Sequence, residues 1–585
     1  MLKLWRRFLS RHWLQVSILV LVQVGQTVLN LYLPNLQADI INDGVTAGDA
    51  DKVWSIGWTM IWVALIQIIT NIIAVYYSTH LAMRVGYEVR KDYFASVEKL
   101  SLHDIETFST SSLITRATND VQQVQMATMQ SMLIILQAPI MFIGGVIMAA
   151  REDGPLTWSI AIIIPIVLLV AFIIMSQMMG LFKKFQKKLD EVNKLVREQI
   201  SGVRVIRAFT RENTERKRFD DSNDALVHLL LNIGRWMGLM IPTMFFIINV
   251  SNVAIMWFGG HRIESGELGI GSLQAFIQYL MIIMIGLMMS AMMSVMLPRA
   301  SVSAKRIMEV VDTRSTITAP AQPVHNDNPQ GVIEFKNVSF TYPGAEEKVL
   351  NNISFAARPG QTVAFIGATG SGKSTIIRLA SRMFDVTDGE VLLDGHNVKE
   401  YDPSDLAALF GPVPQKSVLF SGTIRSNLLY GNPDATDEQL WEALRIAQAE
   451  DFVRELPDGL EAHVAQGGTN FSGGQKQRLC IARAVVRRPY IYSFDDSFSA
   501  LDMATDKKVR DALAPITRQA TQLLVAQRAS SIRHADIIIV MDNGRIVGQG
   551  SHAELMATNE TYREIVESQG GQGPDIESLS LGKED

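Results

Sequence analysis

Two aspartates stand side by side in the stretch SFDDSFSALD, residues 493–502, directly after an apolar run. In a site that hydrolyses a nucleotide, the first carboxylate, Asp495, is placed to hold Mg²⁺. The second, Asp496, is a candidate general base, because the attacking water must be positioned and must lose its proton. An aspartate is one methylene shorter than a glutamate, so its carboxylate reaches less far toward such a water.

A glycine-rich loop predicts where the phosphates of such a nucleotide would bind. The apolar strand TVAFIG leads into GATGSGKST, residues 367–375, which opens the helical run TIIRLASRMF. The pattern G-x-x-x-x-G-K-[ST] lets backbone N–H groups close on phosphates at a helix amino terminus. Lys373 supplies a cation to the outer phosphates, and Ser374 can hold Mg²⁺. The other loop residues predicted to contact the nucleotide are Gly367, Thr369, Gly370, Ser371, Gly372 and Thr375.

Length and composition predict two kinds of domain. With 585 residues the chain exceeds one ordinary domain core. Apolar stretches of membrane-spanning length crowd the first half, whereas charge, glycine and short alternating runs characterise the second. The single cysteine, Cys480, excludes an internal disulfide framework and a multi-cysteine metal site, and we expect it to be a buried apolar filler. A net charge of −5 gives no indication of nucleic-acid binding.

Apolar runs long enough to cross a membrane, for which about 20 residues are needed, recur through the first half. They cover roughly residues 13–34, 54–79, 131–150, 157–180, 237–258 and 272–297. Arginines precede the first run, lysines and arginines fill the connection between the fourth and the fifth, and the first outer loop carries mostly aspartates. This bias predicts a multi-pass protein of the inner (plasma) membrane with both termini in the cytoplasm. The amino-terminal residues lack a secretory cleavage site, so we expect the first run to remain.

Two cytoplasmic connections, roughly 80–130 and 181–236, are much longer than the outer loops. Apolar residues from Leu189 to Ile200 repeat at helical spacing between charges, which predicts that the spans continue as helices into the cytoplasm. Their tips, FSTSSLITRATND and ISGVRVIRAFTRE, are candidate contact surfaces. Alternatively, the basic residues only satisfy the orientation rule.

The two ends of the predicted membrane domain carry residues that suit a membrane interface and a substrate cavity, respectively. Leu4, Trp5, Phe8 and Leu9, among arginines, predict a short helix in the membrane interface, with a plain cytoplasmic tail as the alternative. The sixth run is rich in methionine, which adapts to varied apolar partners. A lipid-facing or packed helix is one interpretation; a face that contacts substrate is the other. The amides of Gln274 and Gln278 favour the second, because they need a partner or a wet cavity inside a membrane.

Further motifs in the second half give the chain a family resemblance. The turn FSGGQ, residues 471–475, precedes a helix, VPQKSVLFSGTI contains Gln415, SALD follows the paired aspartates, and Tyr342 lies in FTYPG. With the phosphate loop, these stretches closely resemble the ATP-binding cassette (ABC) transporter family: its signature motif, with phenylalanine for the more usual leucine, its Q-loop, its D-loop and its adenine-stacking aromatic. The whole chain is similar to a type IV exporter half-transporter, especially to one half of bacterial heterodimeric multidrug or lipid exporters.

This resemblance implies an α-helical membrane domain of six spans followed by an α/β P-loop nucleotide-binding domain. We expect the membrane domain at 1–312, a linker rich in proline and asparagine at 313–331, the nucleotide-binding domain at 332–570 and a disordered tail at 571–585. The resemblance also implies ATP and Mg²⁺ as cofactors, with Ser374, Gln415 and Asp495 at the metal and Tyr342 on the adenine. Two such domains would dimerise head to tail, each ATP touching the phosphate loop of one chain and the signature residues of the other. The signature residues are Ser472, Gly473, Gly474 and Gln475.

Besides the phenylalanine of the signature, three residues depart from the family pattern. Asp496 replaces the catalytic glutamate, and Gln527 occupies the place of the switch histidine, where an amide can donate a hydrogen bond but cannot titrate. Gln466 replaces a glutamate that exporters often have before the signature, which puts its contact with the intracellular loops in doubt. Because two departures fall in one half-site while the signature is intact, we predict a heterodimer in which this chain carries a degenerate site. A slow homodimer that tolerates both changes is the alternative.

Three classes of function fit this layout. The first is an ATP-driven exporter of hydrophobic drugs or lipids. Its partners would be membrane lipid and a second half-transporter that has a consensus catalytic site. An importer of lipid-like or siderophore-like substrates on the same fold is the second, and an ATP-gated channel or regulator is the third. The spans contain few ionisable residues, which weighs against a channel. The absence of a separate substrate-binding domain mildly favours export.

Overall fold

The computed structural model describes residues 1–569, apart from the side chain of Val295, and the predicted tail, 571–585, lies outside the described residues. The chain divides into two compact units. One contains Met1–Ser96 and Ser111–Asp312, and the other contains Val97–Thr110 and the residues from Thr313 onward. The second unit therefore includes a short segment from within the first half of the chain.

The chain before Thr313 is helical throughout its main elements. Its helices are α1 (Leu2–Phe8), α2 (Trp13–Asp39), α3 (Ala50–Val97), α4 (Leu102–Phe108), α5 (Thr110–Thr115), α6 (Val121–Ile134), α7 (Gln137–Glu152), α8 (Thr157–Ser201), α9 (Val203–Ala208), α10 (Glu212–Glu264) and α11 (Ile270–Asp312). Six helical stretches of the described residues are long and apolar enough to cross a membrane. They are Leu2–Val45, Ala50–Val97, Thr110–Glu152, Thr157–Ser201, Glu212–Glu264 and Ile270–Asp312. The predicted spans lie inside these stretches, which confirms the helical membrane domain.

Large apolar side chains remain exposed along the spanning helices. Leu21, Ile72, Phe172 and Trp257 are more than half exposed. An apolar surface of this extent needs a covering other than water, which lipid or a second subunit would provide. Inside the unit, the amide of Gln278 on α11 donates to Gln37 Oε1 on α2. This amide of a spanning helix therefore has a protein partner.

The amino-terminal helix α1 forms as predicted, but its apolar side faces the protein. Leu4 is 1% exposed and Phe8 is fully buried. Lys3 Nζ and Arg7 Nη1 lie 2.7 and 3.2 Å from the carboxylate of Asp312, the last residue of α11. Leu4 and Phe8 are therefore not available to a lipid interface.

The described part of the second unit contains two main sheets and a two-stranded sheet formed by Gly422–Thr423 and His463–Val464. Its strands are β1 (Ile333–Phe340), β2 (Leu350–Ala357), β3 (Thr362–Gly367), β4 (Asp388–Leu393), β5 (His396–Asn397), β6 (Phe410–Val413), β7 (Gly422–Thr423), β8 (His463–Val464), β9 (Ile491–Asp495), β10 (Thr521–Val525), β11 (Ile537–Asp542) and β12 (Arg545–Gly550). Its helices are α12 (Lys373–Ala380), α13 (Pro403–Leu409), α14 (Ile424–Leu429), α15 (Asp437–Ile446), α16 (Glu450–Arg454), α17 (Gly473–Arg487), α18 (Met503–Thr517), α19 (His552–Thr558) and α20 (Glu560–Ser568). The larger sheet has the order β12-β11-β3-β10-β9-β6, and the smaller has the order β2-β1-β4-β5.

The larger sheet separates two hydrophobic cores. In β3, Ala364 and Ile366 enter one core, whereas Val363 and Phe365 enter the other. Successive side chains of a strand point to opposite faces, so a strand that is buried on both faces is apolar throughout. Strands β6, β9, β10, β3 and β11 run parallel, and only β12 is antiparallel. The carboxyl ends of the parallel strands therefore meet at one edge, where the loops that follow them converge.

Candidate functional site

A cavity of about 280 Å³ opens at that carboxyl edge. The phosphate loop begins at the end of β3, the paired aspartates lie at the end of β9, Gln527 follows β10 and Gln415 follows β6. The cavity is lined by Tyr342, Val349, Thr369, Gly370, Gly372, Lys373, Ser374, Thr375, Gln415, Asp495, Asp496, Val525 and Gln527. The fold thus brings together side chains that lie as far apart in the sequence as Tyr342, which follows β1 of the smaller sheet, and Gln527. Gly367 and Ser371 belong to the same loop but do not line the cavity.

The phosphate loop needs glycine at particular positions. Gly370 and Gly372 have φ angles of 88° and 96°, a region that side-chain-bearing residues rarely adopt. A Cβ on Gly367 would lie 2.0 Å from the backbone oxygen of Met541 on β11. Helix α12 begins directly after the loop, at Lys373. The loop therefore presents backbone N–H groups at a helix amino terminus, a geometry that suits anionic phosphate.

Lys373 is held inside the phosphate loop. Its Nζ donates to the carbonyl oxygens of Gly367 at 2.9 Å and Ala368 at 2.7 Å, and to Ser371 Oγ at 3.3 Å. Its side chain is only 8% exposed. Burial lowers the pKa of this ammonium group, and the charges of Asp496 and Asp495 act in the opposite direction. A phosphate group entering the loop would give this buried cation a stronger acceptor than a carbonyl oxygen.

The oxygen atoms of the predicted metal site lie together. Ser374 Oγ donates to Asp495 Oδ1 at 2.7 Å, and Gln415 lines the same cavity. Hydroxyl, carboxylate and amide oxygens, completed by phosphate oxygens and water, suit Mg²⁺, which keeps several non-protein ligands. Among the described residues no group of three or more His, Cys, Asp or Glu side chains forms a metal cluster. The oxygen donors of Ser374, Asp495 and Gln415 fit a metal that arrives with a nucleotide.

Two of the residues that depart from the family pattern, Asp496 and Gln527, contact each other. Gln527 Nε2 donates to Asp496 Oδ2 at 2.9 Å. Asp496 has a φ of 50°, and its backbone N–H donates to Val525 O at 2.9 Å, which fixes its carboxylate beside the end of β10. Burial raises the pKa of Asp496, as does the charge of Asp495, whereas hydrogen bonds from Ser499 and Gln415 and the Arg528 cation lower it.

Tyr342 lines the cavity through a packed ring. Its ring meets those of Phe340 and Phe384 edge-on, with centroid distances of 4.8 and 5.3 Å. Its hydroxyl lies 3.1 Å from Thr375 Oγ1 and accepts from Arg378 Nη1 at 3.2 Å. The ring is therefore fixed next to the phosphate loop, and stacking on adenine stays a prediction.

The signature residues lie outside this cavity. Ser472 caps α17, with its Oγ accepting from Gln475 N at 3.2 Å, while Gln475 Oε1 accepts from Ser472 N at 2.9 Å. Ser472 and Gly473 are exposed, and a Cβ on Gly474 would lie 3.2 Å from the D-loop oxygen of Ala500. The chain thus presents two separate groups of predicted site residues.

The residues around the signature account for two sequence features. Phe471, where leucine is more usual, is 8% exposed and packs near the ring of Phe452 at 6.4 Å. Cys480 is fully buried in α17, as predicted, and burial raises the pKa of its thiol, which donates to Val418 O at 3.7 Å. Gln466 is exposed, so its role stays a prediction.

Sequence reasoning missed two residues of the cavity and one behind it. Val349 and Val525 line the cavity, and the side chain of Gln569 bonds the backbone beside Gln527. Val525 ends an apolar strand, so the carboxyl-edge rule points to it. Nothing in the sequence around Val349 or Gln569 indicates a place near a nucleotide.

Known proteins resemble the chain over most of its length. Residues 16–288 match the family described as ABC transporter transmembrane region, and residues 350–499 match the family described as ABC transporter. An uncharacterized ABC transporter ATP-binding protein of Mycobacterium tuberculosis is 44% identical over 97% of this chain and 98% of its own length. The ABC transporter ATP-binding protein YfiB of Bacillus subtilis is 34% identical over the same shares.

Two further similarities concern exporters. A Staphylococcus aureus protein, named as a proposed multidrug export ATP-binding/permease protein, is 32% identical over 82% of this chain and 83% of its own. A solved structure of a bacterial Atm1-family ABC exporter with ATP bound has a TM-score of 0.78 and 23% identity, over 97% of this chain and 100% of the other. The latter likeness establishes the exporter fold. On the family matches and the relatives, this chain is a multi-pass, ATP-binding half-transporter that belongs to the ABC transporter family, a family of ATP-hydrolysing transporters.

Proposed function

We propose that this chain is one subunit of a heterodimeric exporter and that its own nucleotide site is degenerate. The observation that carries the proposal is the 2.9 Å hydrogen bond between Gln527 and Asp496 inside the nucleotide cavity. These are the two positions that the family uses to activate water and to contact the terminal phosphate. Here a shortened carboxylate and an uncharged amide occupy them and bind each other.

The shortened carboxylate is poorly placed as a base. A glutamate at this position would reach one methylene farther than Asp496, and a misplacement of about 1 Å can cost roughly a hundredfold in rate. The Gln527 amide lies on one of the carboxylate oxygens, so this oxygen is already engaged. Gln527 also carries no charge and cannot titrate, so it cannot replace an imidazole as a proton donor. Both features predict slow hydrolysis.

Binding of ATP and Mg²⁺ would persist because it needs positioning rather than a general base. When bound, Mg²⁺ supplies charge neutralisation on the phosphates. Ser374, Asp495 and Gln415 would hold the metal, Lys373 would contact the outer phosphates, and Tyr342 would support the adenine. The close Ser374–Asp495 contact and the buried Lys373 ammonium support these assignments.

The signature of this chain would complete the partner's site. Ser472 and Gly473 are exposed on α17 and lie outside the cavity of their own chain, as a head-to-tail pair requires. The partner would supply a consensus glutamate and histidine, so most hydrolysis would take place there. In a homodimer both nucleotide sites would carry Asp496 and Gln527, so both sites of the pump would hydrolyse ATP slowly.

The cargo that we propose is a hydrophobic drug or a lipid. The spanning helices expose extensive apolar surface, and a relative over most of the chain carries a name that refers to multidrug export. The paired amides of Gln278 and Gln37 offer the few hydrogen-bonding groups that would orient such a cargo. The lysine and arginine bias supports insertion in the inner membrane with both termini in the cytoplasm.

The test compares ATPase rates of the lone chain and of the chain assembled with a partner. We expect the lone chain to be nearly inactive and the pair to be active. In the pair, Ser472→Ala should lower turnover, whereas Ser551→Ala should not. Ser551 is a matched control because it caps α19 through the same kind of capping box. Brisk hydrolysis by the lone chain, or equal effects of the two serine substitutions, would contradict the proposal.

A further inference from the structure

Gln569, the residue that follows helix α20, bonds the backbone behind the nucleotide cavity. Its Oε1 accepts from the N–H of Ala529 at 2.7 Å, and its Nε2 donates to the carbonyl oxygen of Gln527 at 2.8 Å. One amide therefore bridges the main chain on both sides of Arg528. We call residues 527–531, which follow β10, the switch segment.

Helix α20 is anchored in the core and so fixes the position of Gln569. Tyr562 is fully buried, Val566 is 7% exposed, and both belong to the core beneath the larger sheet. The hydroxyl of Tyr562 lies 2.8 Å from His552 Nδ1 on α19. A helix anchored through buried side chains moves little, so the amide at its end is positioned before any ligand binds.

The other end of the switch segment has a separate anchor. Arg510 on α18 donates to the carbonyl oxygen of Ser531, and its Nη2 donates to Asp506 Oδ2 at 2.6 Å. The side chains of Gln569 and Arg510 therefore hold the segment at its two ends. Between these anchors, the side chain of Gln527 lines the cavity and meets Asp496.

We propose that Gln569 is a positioning residue of the nucleotide site. By fixing the carbonyl of Gln527 and the N–H of Ala529, it sets the backbone direction from which the Gln527 side chain reaches Asp496. The inference rests on the proposed function only in the role that it gives to residue 527. The contact of Gln569 with the switch segment does not depend on which subunit hydrolyses ATP.

The amide group is the suitable chemistry for this role, because it donates and accepts at once. The N–H of Ala529 has Gln569 as its hydrogen-bond acceptor and belongs to a residue that is only 4% exposed. Without Gln569 this buried donor would lose its partner, which is costly. A glutamate would keep the acceptor for Ala529 but would place a carboxylate against the carbonyl of Gln527. An alanine would lose both contacts.

Hydrogen exchange of the full chain, assembled with its partner in lipid nanodiscs, tests the contact directly. In Gln569→Ala we expect the amide of Ala529 to exchange about fivefold faster, as suits the loss of one hydrogen bond. Gln569→Glu should keep most of the protection at Ala529. Glu567→Ala, an exposed control on the same helix, should change nothing. Unchanged exchange at Ala529 in Gln569→Ala would overturn the inference. Equal acceleration around Tyr562 would also overturn it, because it would show that the helix had come loose.

Turnover separates positioning from general stability. In the background Asp496→Glu with Gln527→His, Gln569→Ala should lower kcat about threefold to tenfold and leave KM for ATP nearly unchanged, since one or two hydrogen bonds orient the reacting group. Gln569→Glu should recover part of the rate. A rise in KM with kcat unchanged would refute positioning. If the background itself gains no activity, the proposed function fails, whereas the exchange at Ala529 still decides the role of Gln569.

Discussion

Restoring the family residues at positions 496 and 527 together should return ATP hydrolysis to this site. The double change Asp496→Glu with Gln527→His would extend the carboxylate by one methylene and replace the amide that now lies 2.9 Å from it. Since a shift of about 1 Å is worth roughly a hundredfold and a positioned general base typically contributes about 10²- to 10⁴-fold, we expect the pair to raise kcat at this site about a hundredfold. Each single change should raise it about fourfold to fivefold.

The two changes should not be independent. Residues in direct contact typically couple by about 0.5–3 kcal/mol, and Asp496 and Gln527 share a hydrogen bond in the cavity. Asp496→Glu alone would push a longer carboxylate into the amide, and Gln527→His alone would leave a base that is too short. The double variant should therefore exceed the product of the two single gains by about fivefold, which corresponds to ~1 kcal/mol.

The assay is the ATPase rate of the assembled transporter with its other nucleotide site disabled, so that only this site is measured. Lys373→Ala in the double variant is the control, because it should remove the gain if the activity arises in this cavity. An unchanged rate in the double variant, with ATP still retained at the site, would refute the reasoning. It would show that the lengths and charges of residues 496 and 527 do not limit hydrolysis here.

Two further outcomes follow from the same unit. Lys373→Ala should weaken ATP retention at this site about 10- to 100-fold, because a charge-assisted hydrogen bond contributes ~1.5–3 kcal/mol. Retention of labelled ATP measures this effect, and an unchanged value would mean that Lys373 does not contact phosphate. Cys480 is fully buried and burial raises the pKa of its thiol, so it should resist maleimide at neutral pH until the domain unfolds. The control is Lys399→Cys in the Cys480→Ser background, whose thiol at an exposed position should react at once. Rapid labelling of native Cys480 would place it at the surface.

The sequence determined the features that depend on short stretches of chain. Apolar runs of membrane-spanning length predicted the helical spans, and the six stretches of the structure contain them. The conformation of the phosphate loop was also predictable, because its glycines, its lysine and the start of α12 are contiguous in the sequence. The buried state of Cys480 followed from the apolar face of its helix.

Tertiary structure decided how distant residues meet. Asp496 and Gln527 could each be identified as a departure, yet their hydrogen bond exists because β9 and β10 are neighbours in the sheet. The packing of α1 turned Leu4 and Phe8 toward the protein, where the sequence alone left a lipid-facing helix open. Gln569 reaches the switch segment because α20 docks on the core through Tyr562. Such contacts depend on which elements pack together and on the direction of each side chain, and neither is encoded by local spacing.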